Sequence, residues 1–222
     1  MILSYDHGFV SFACGRTGTT SLEHALSHYD QGTKLREEIA EHVNARLGRN
    51  FNTKHLRPDL VRQFLPEDTW ENLFKFVFVR NPWDWVLSQY FRHGFCRPFS
   101  FRRPLSRRVS FRRPMLGAAE VEAVWDRLRP FNQSLDTDSY LQSRFVYDSN
   151  GVKLVDRVGR YESLQNDIDD ILRALGLPQH KMPRLNGTRH RHYTEHYTPE
   201  GRDMVARLYS SDIEMLGYQF GN

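Results

Sequence analysis

The stretch Gly8-Phe-Val-Ser-Phe-Ala-Cys-Gly-Arg-Thr-Gly-Thr-Thr-Ser21 decides the fold. Its apolar run Phe9–Cys14 has the length and composition of a buried strand and breaks at Gly15, after which Leu22-Glu-His-Ala-Leu26 follows at helical spacing. That order is strand, tight loop, helix. In Gly15-Arg16-Thr17-Gly18-Thr19-Thr20-Ser21 small residues let the backbone approach an anion, helix-start N–H groups point at it, and hydroxyls add further donors. A phosphate or sulfate suits such a loop. It is not a Walker A loop, which would need Gly-Lys where Thr20-Ser21 stand, nor is it GxGxxG, so ATP hydrolysis and NAD chemistry lose their support. The plainer alternative is a loop that only caps its helix, with Thr19 or Thr20 as N-cap.

Working outward, Leu73-Phe-Lys-Phe-Val-Phe-Val79 is a second strand, aromatic and β-branched, ending at Arg80-Asn81-Pro82. Pro82 opens a helix through Trp85, Val86, Gln89 and Tyr90, on which the pairs Trp83/Trp85 and Tyr90/Phe91 read as core. Two strand-loop-helix units with helices between them predict an α/β domain with a parallel sheet whose ligands bind at the carboxyl ends of the strands. Both loops then lie on one rim. Arg80 can grip a phosphate with two hydrogen bonds, and Ser88, two helical turns on, can add a third. Two anion-binding features on one rim fit a nucleotide with phosphates at both ends.

Elsewhere Leu35, Ile39, Val43 and Leu47 mark an amphipathic helix over 35–47, and Pro58 starts a short one over 58–65. Residues 96–116, with three prolines and paired arginines in a repeated Phe-Arg-Arg-Pro, read as a loop insertion. A helix over 117–129, a hairpin over 144–155 turning at Asn150-Gly151, a helix over 162–175 closed by Gly176 and Pro178, and a last helix from Thr198-Pro199 to about Leu216 complete the reading. In that last helix Val205, Leu208 and Tyr209 are expected to face inward. No linker divides the chain, so 1–222 reads as one domain.

The chain has 222 residues, 39% hydrophobic and 26% charged, which excludes fibrous and wholly disordered classes. Its apolar runs fall far short of the roughly 20 residues of a membrane helix, and no charged-then-apolar leader precedes them, so no span and no export signal are expected. Two cysteines, Cys14 and Cys96, without CxxC spacing fit a reducing compartment. The net charge of +4 is unevenly spread. From Trp85 to Ala119 the chain carries eight arginines, Arg92 to Arg113, and no Lys, Asp or Glu, which points to an anionic partner there. His190, His192 and His196 are interleaved with Arg189, Arg191 and Tyr193 without a completing cysteine or carboxylate set, so no metal site is expected.

Together these residues resemble the sulfotransferases that use 3′-phosphoadenosine 5′-phosphosulfate, especially the Golgi-type carbohydrate sulfotransferases and their bacterial relatives. Gly15–Ser21 resembles the family's 5′-phosphosulfate loop, and Phe76-Val-Phe-Val-Arg-Asn-Pro-Trp-Asp-Trp-Val-Leu-Ser88 its 3′-phosphate motif. Val158-Gly-Arg-Tyr-Glu-Ser-Leu164, Leu175-Gly-Leu-Pro178, Tyr197-Thr-Pro-Glu200 and Leu216-Gly-Tyr218 are similar to later family segments. The likeness covers most of the chain except 90–140. It implies a P-loop-like three-layer fold with a central parallel β-sheet flanked by helices, and sulfuryl transfer to a hydroxyl, read as one on a carbohydrate, with no metal and no nucleic-acid partner.

By the same resemblance, Gly15, Arg16, Thr17, Gly18, Thr19, Thr20 and Ser21 cradle the 5′ end of the donor, and Arg80 and Ser88 hold its 3′-phosphate. His55, in Thr53-Lys-His-Leu56 between the two motifs, is the candidate base, its ordinary pKa near 6.5 suiting the task, with Arg16 and Lys54 neutralising the sulfuryl and its leaving group. A surface histidine at a helix entry is the alternative for His55. Arg189 and Arg191 stand where the resembled family closes a basic segment over the nucleotide. The expected location is a bacterial-type cytoplasm, or a Golgi lumen for a domain cut from its anchor. The competing function is a polyanion-binding module that works through Arg92–Arg113.

Overall fold

In the computed structural model, which describes residues 1–47, 53–93, 115–132, 141–183 and 191–222, the chain forms two compact units. The first comprises Met1–Arg80 and Asn132–Gly187, the second Asn81–Phe131 and Thr188–Asn222.

The first unit is built on a four-stranded sheet of order β1-β2-β3-β4, with β1 Ile2–Ser4, β2 Phe9–Phe12, β3 Phe74–Val79 and β4 Arg157–Arg160. β3 is an almost uninterrupted apolar run because it is flanked on both edges by parallel neighbours and covered on both faces. Phe9, Phe76 and Phe78 share one face by the period of two. There they meet Leu22 and Leu26 of α1 (Thr19–Leu26) and Ile168, Ile171 and Leu172 of α7 (Leu164–Ala174) in one buried cluster. Burying side chains of this size stabilises by about 1.5–3 kcal/mol each before conformational entropy is counted. On the other face Phe12 packs its ring near Trp70 of the short helix α4 (Glu67–Asn72). Gly159 of β4 lies flat against Phe78, where any Cβ would overlap the ring. Leu35, Ile39 and Val43 of α2 (Thr33–Leu47) are buried, as their spacing predicts.

The expectation of a parallel sheet is corrected at one edge. β1 runs antiparallel to β2, as it must when only a tight turn, closed by Gly8 N–H to the Tyr5 carbonyl at 3.3 Å, joins them. α3 (Pro58–Arg62) stops short of residue 65 because the chain turns ahead of Pro66. The hairpin over 144–155 turns at Asn150-Gly151 as read, with the Asp148 and Leu154 amides bonded to the Val152 and Val146 carbonyls around the Tyr147–Lys153 bridge, and is shorter than read because Gln142–Phe145 forms a 3-10 turn. The helix expected from 162 begins at Leu164, after a 3-10 turn over Tyr161–Ser163.

The second unit is helical. Asn81 caps α5 (Pro82–Arg92) by accepting from the Trp83 amide at 3.1 Å, and Trp83, Trp85 and Tyr90 are buried as read from the sequence. α6 runs over Ala118–Asn132. The last helix divides into α8 (Pro199–Leu208) and α9 (Ser210–Leu216) at Tyr209, whose ring is held between Trp85 and Trp125. Val205 and Tyr209 are buried and Leu208 is half-buried. Thr198 caps α8 at Gly201, where a Cβ would overlap the Leu116 carbonyl. Leu116, read as the end of the insertion, is instead fully buried and bridged to Tyr197, while 94–114 lie outside the described residues.

Candidate active site

The loop between β2 and α1 is shaped by its own backbone. Fully buried Thr17 donates its hydroxyl to the Cys14 carbonyl at 2.8 Å, closing the turn. Arg16 takes a φ of 68°, the one described non-glycine residue in the left-handed region, and Gly18 takes 83°. Such backbone costs about 1–3 kcal/mol for a side-chain-bearing residue and persists only where the surroundings impose it. Gly18 is the N-cap of α1 and has no side chain with which to cap that end. Thr19 and Thr20 are already inside the helix, so the cap expected of them is absent. Thr19 and Ser21 are buried, and Thr20 is exposed. A side chain at position 18 is strained by φ and crowded as well, since its Cβ would lie 3.0 Å from Leu164 Cδ2, which would have to give way.

Parallel pairing of β2 with β3 brings Arg80, one residue beyond β3, to this loop. Its Nη1 donates to the Arg16 carbonyl at 3.2 Å, and its guanidinium lies 4.2 Å from the centre of the Tyr161 ring. Arg80 is 6% exposed, so these contacts fix a nearly buried cation. The Tyr161 ring is also the neighbour that a Gly18 Cβ would meet at 3.4 Å, so one aromatic side chain braces both the loop and the arginine.

His55 closes a 3-10 turn over Thr53–His55. Its Nδ1 lies 2.6 Å from the Ala13 carbonyl. A carbonyl only accepts, so Nδ1 carries the proton and Nε2 keeps its lone pair. A Cβ on Gly15 would sit 4.0 Å from Nε2, which places that lone pair beside the loop. Burial holds the pKa of His55 below the ordinary 6.5, with the bond to Ala13 opposing. The neutral, proton-accepting form is the one the site favours.

Lys54 points its ammonium to Glu23 Oε2 at 2.7 Å, and so is tethered to α1. The structure thus gathers the 15–21 loop, Arg80, His55 and Lys54 in the first unit. Ser88, predicted with Arg80, is a buried residue of α5 in the second unit. Arg191 of that unit is exposed and pairs with Glu195 at 3.2 Å, while Arg189, His190 and Cys96 lie outside the described residues. Cys14 is a buried free thiol. Among the described residues no group of three or more His, Cys, Asp or Glu is gathered that could hold a metal ion, and no helix is long and apolar enough to cross a membrane.

Three contributors escaped the sequence reading. Tyr161 lay inside a quoted segment without a role, while Glu23 and Gln142 carried no motif at all. Gln142 uses its side-chain amide on the Arg80 backbone.

A family model described as the sulfotransferase family matches residues 1–219. The chain belongs to the sulfotransferase family. No curated protein and no solved structure gives a significant match. This sulfotransferase is therefore a transferase of sulfuryl groups by family. The match takes in the 15–21 loop, Arg80, the 53–55 turn and Tyr161 alike.

Proposed function

We propose that this sulfotransferase, on a P-loop-like three-layer scaffold, moves a sulfuryl group from 3′-phosphoadenosine 5′-phosphosulfate to a carbohydrate hydroxyl. The observation that carries this reading is the convergence on one loop of a helix start whose N-cap is a glycine, a nearly buried arginine and a histidine whose Nε2 lies beside Gly15.

The chemistry follows from those parts. The acceptor O–H gives its proton to His55 Nε2 as its oxygen attacks sulfur in line, and the sulfur–oxygen bond to the 5′-phosphate breaks with its electron pair going to the phosphate. Loop amides of Gly15–Thr20 and the Arg16 side chain meet the charge that grows on that phosphate. Lys54 supplies further positive charge on exchanging its Glu23 partner for the sulfuryl oxygens. Arg80 takes the 3′-phosphate. Gly15 has no positive φ, and a Cβ there would make only ordinary contacts with His55. Its smallness therefore serves close approach of the donor and not the fold. The eight-arginine stretch supports an acidic glycan as acceptor, because its charge lies outside the residues assigned to the donor.

Calorimetric titration with adenosine 3′,5′-bisphosphate, the nucleotide left after transfer, tests the reading. Saturable binding that Arg80→Ala weakens by about 10- to 100-fold is expected. A protein that ignores the nucleotide at millimolar concentration would refute it.

A further inference from the structure

Arg80 stands where the sheet has run out. The β3–β4 ladder ends at the pair Val79 and Arg160, and the β2–β3 ladder has already ended at Phe12 and Val77. A buried residue at that point needs a partner for both its N–H and its C=O, and leaving either unpaired costs about 1–3 kcal/mol. One side chain serves both. The Arg80 amide donates to Gln142 Oε1 at 2.7 Å, and Gln142 Nε2 donates to the Arg80 carbonyl at 2.8 Å. A carboxamide has the planarity and donor–acceptor polarity of a peptide, so Gln142 acts as one extra residue of sheet. It is 1% exposed and sits in a turn anchored by the buried Leu141 and Phe145, so the clasp itself is fixed.

We propose that Gln142 is a positioning residue of the nucleotide site, setting the direction of Arg80 through its backbone. This rests on the reading of Arg80 as the ligand of the 3′-phosphate. The clasp fixes the Arg80 Cα–Cβ direction, and the Tyr161 ring and the Arg16 carbonyl then fix the guanidinium. Three stretches distant in sequence, at 142, 161 and 16, thus set one side chain before any ligand arrives. Without the clasp the Arg80 peptide can rotate, and a misplacement of about 1 Å at such a group can cost on the order of 100-fold.

The test is the ratio of affinities for adenosine 3′,5′-bisphosphate and adenosine 5′-monophosphate, which lacks the 3′-phosphate, measured by calorimetry. Gln142→Met keeps the volume and removes both bonds. Its preference for the bisphosphate should fall by about 10-fold or more with the monophosphate affinity unchanged, and should show no further loss when added to Arg80→Ala. An unchanged ratio overturns the proposal, and so does an equal loss for both nucleotides, which would mark general loosening. Gln142→Glu provides a second arm that survives poor folding of the first. A protonated carboxyl can accept from the Arg80 amide and donate to its carbonyl, whereas a carboxylate only accepts. Burial raises that carboxyl's pKa, so the ratio relative to wild type should be preserved near about pH 5.5 and reduced near about pH 8.5. A wild-type ratio at both values overturns the proposal. A wild-type protein with no preference for the bisphosphate, or a preference that Arg80→Ala leaves intact, refutes the underlying reading of Arg80 and the proposal with it.

Discussion

Arg80 and His55 both adjoin the loop that follows β2, and they are held in different ways. Arg80 is nearly buried, with its backbone clasped by Gln142, an aromatic ring against its guanidinium and a loop carbonyl on its Nη1. His55 is half-buried in a one-turn 3-10 segment, oriented by its bond to Ala13, and its neighbour Lys54 hangs from Glu23 in a pair whose side chains are 40% and 31% exposed. One group is locked by packing and the other tethered by polar bonds. A phosphate ligand benefits from a cation whose position is settled in advance, while a base must keep a lone pair aimed and still change protonation state. The two regions should therefore fail differently when altered, one in binding and the other in turnover.

The largest separation is expected from His55→Ala. Turnover should fall by about 10²- to 10⁴-fold while affinity for adenosine 3′,5′-bisphosphate is kept. Near-normal turnover would remove His55 from the mechanism. Arg80→Ala should invert the pattern, weakening the bisphosphate by about 10- to 100-fold for the loss of a charge-assisted contact, as read by calorimetry. If binding survives there and fails in the His55 variant, the assignment of the two regions is reversed.

Gly18→Ala probes the loop backbone. It should cost about 1–3 kcal/mol in urea unfolding, because a left-handed φ and the Leu164 side chain both oppose a Cβ. No loss of stability would mean that the turn relaxes freely. Glu23→Gln should act least, since a partly exposed ion pair contributes about 0.2–1 kcal/mol. A change in kcat of at most about 5-fold, without effect on nucleotide affinity, is the expected reading. Acidity sharpens the comparison further. With the folded pKa of His55 below 6.5, the unfolded chain takes up the proton first, so stability conferred at His55 is present above 6.5 and is lost as pH falls from there through the lowered value. The acid limb of kcat/KM should likewise have its midpoint below 6.5. A midpoint above 6.5 would contradict the neutral, half-buried base.

Much of the loop side of this contrast was legible in the residues. β3 announces itself through an aromatic run with both faces buried, and the Gly-rich break after Cys14 between an apolar run and helical spacing marks the loop. β1 was not legible because three residues carry no periodicity, and β4 because Arg-Val-Gly-Arg is exposed at both ends and has one apolar side chain beside a glycine that packs against Phe78. The braces on Arg80 were hidden for another reason. Gln142 and Tyr161 act across 62 and 81 positions of chain, and a lone amide or phenol has no spacing signal until the fold delivers it.

The most direct test of the central claim is transfer of radiolabelled sulfate from 3′-phosphoadenosine 5′-phosphosulfate to a panel of glycans, with wild type and His55→Ala compared at saturating donor. Label should appear on a glycan hydroxyl with wild type and fall to background with the variant, although the variant still binds adenosine 3′,5′-bisphosphate. Equal labelling by both proteins, or no labelling of any acceptor by a wild-type protein that binds the donor, would contradict the account.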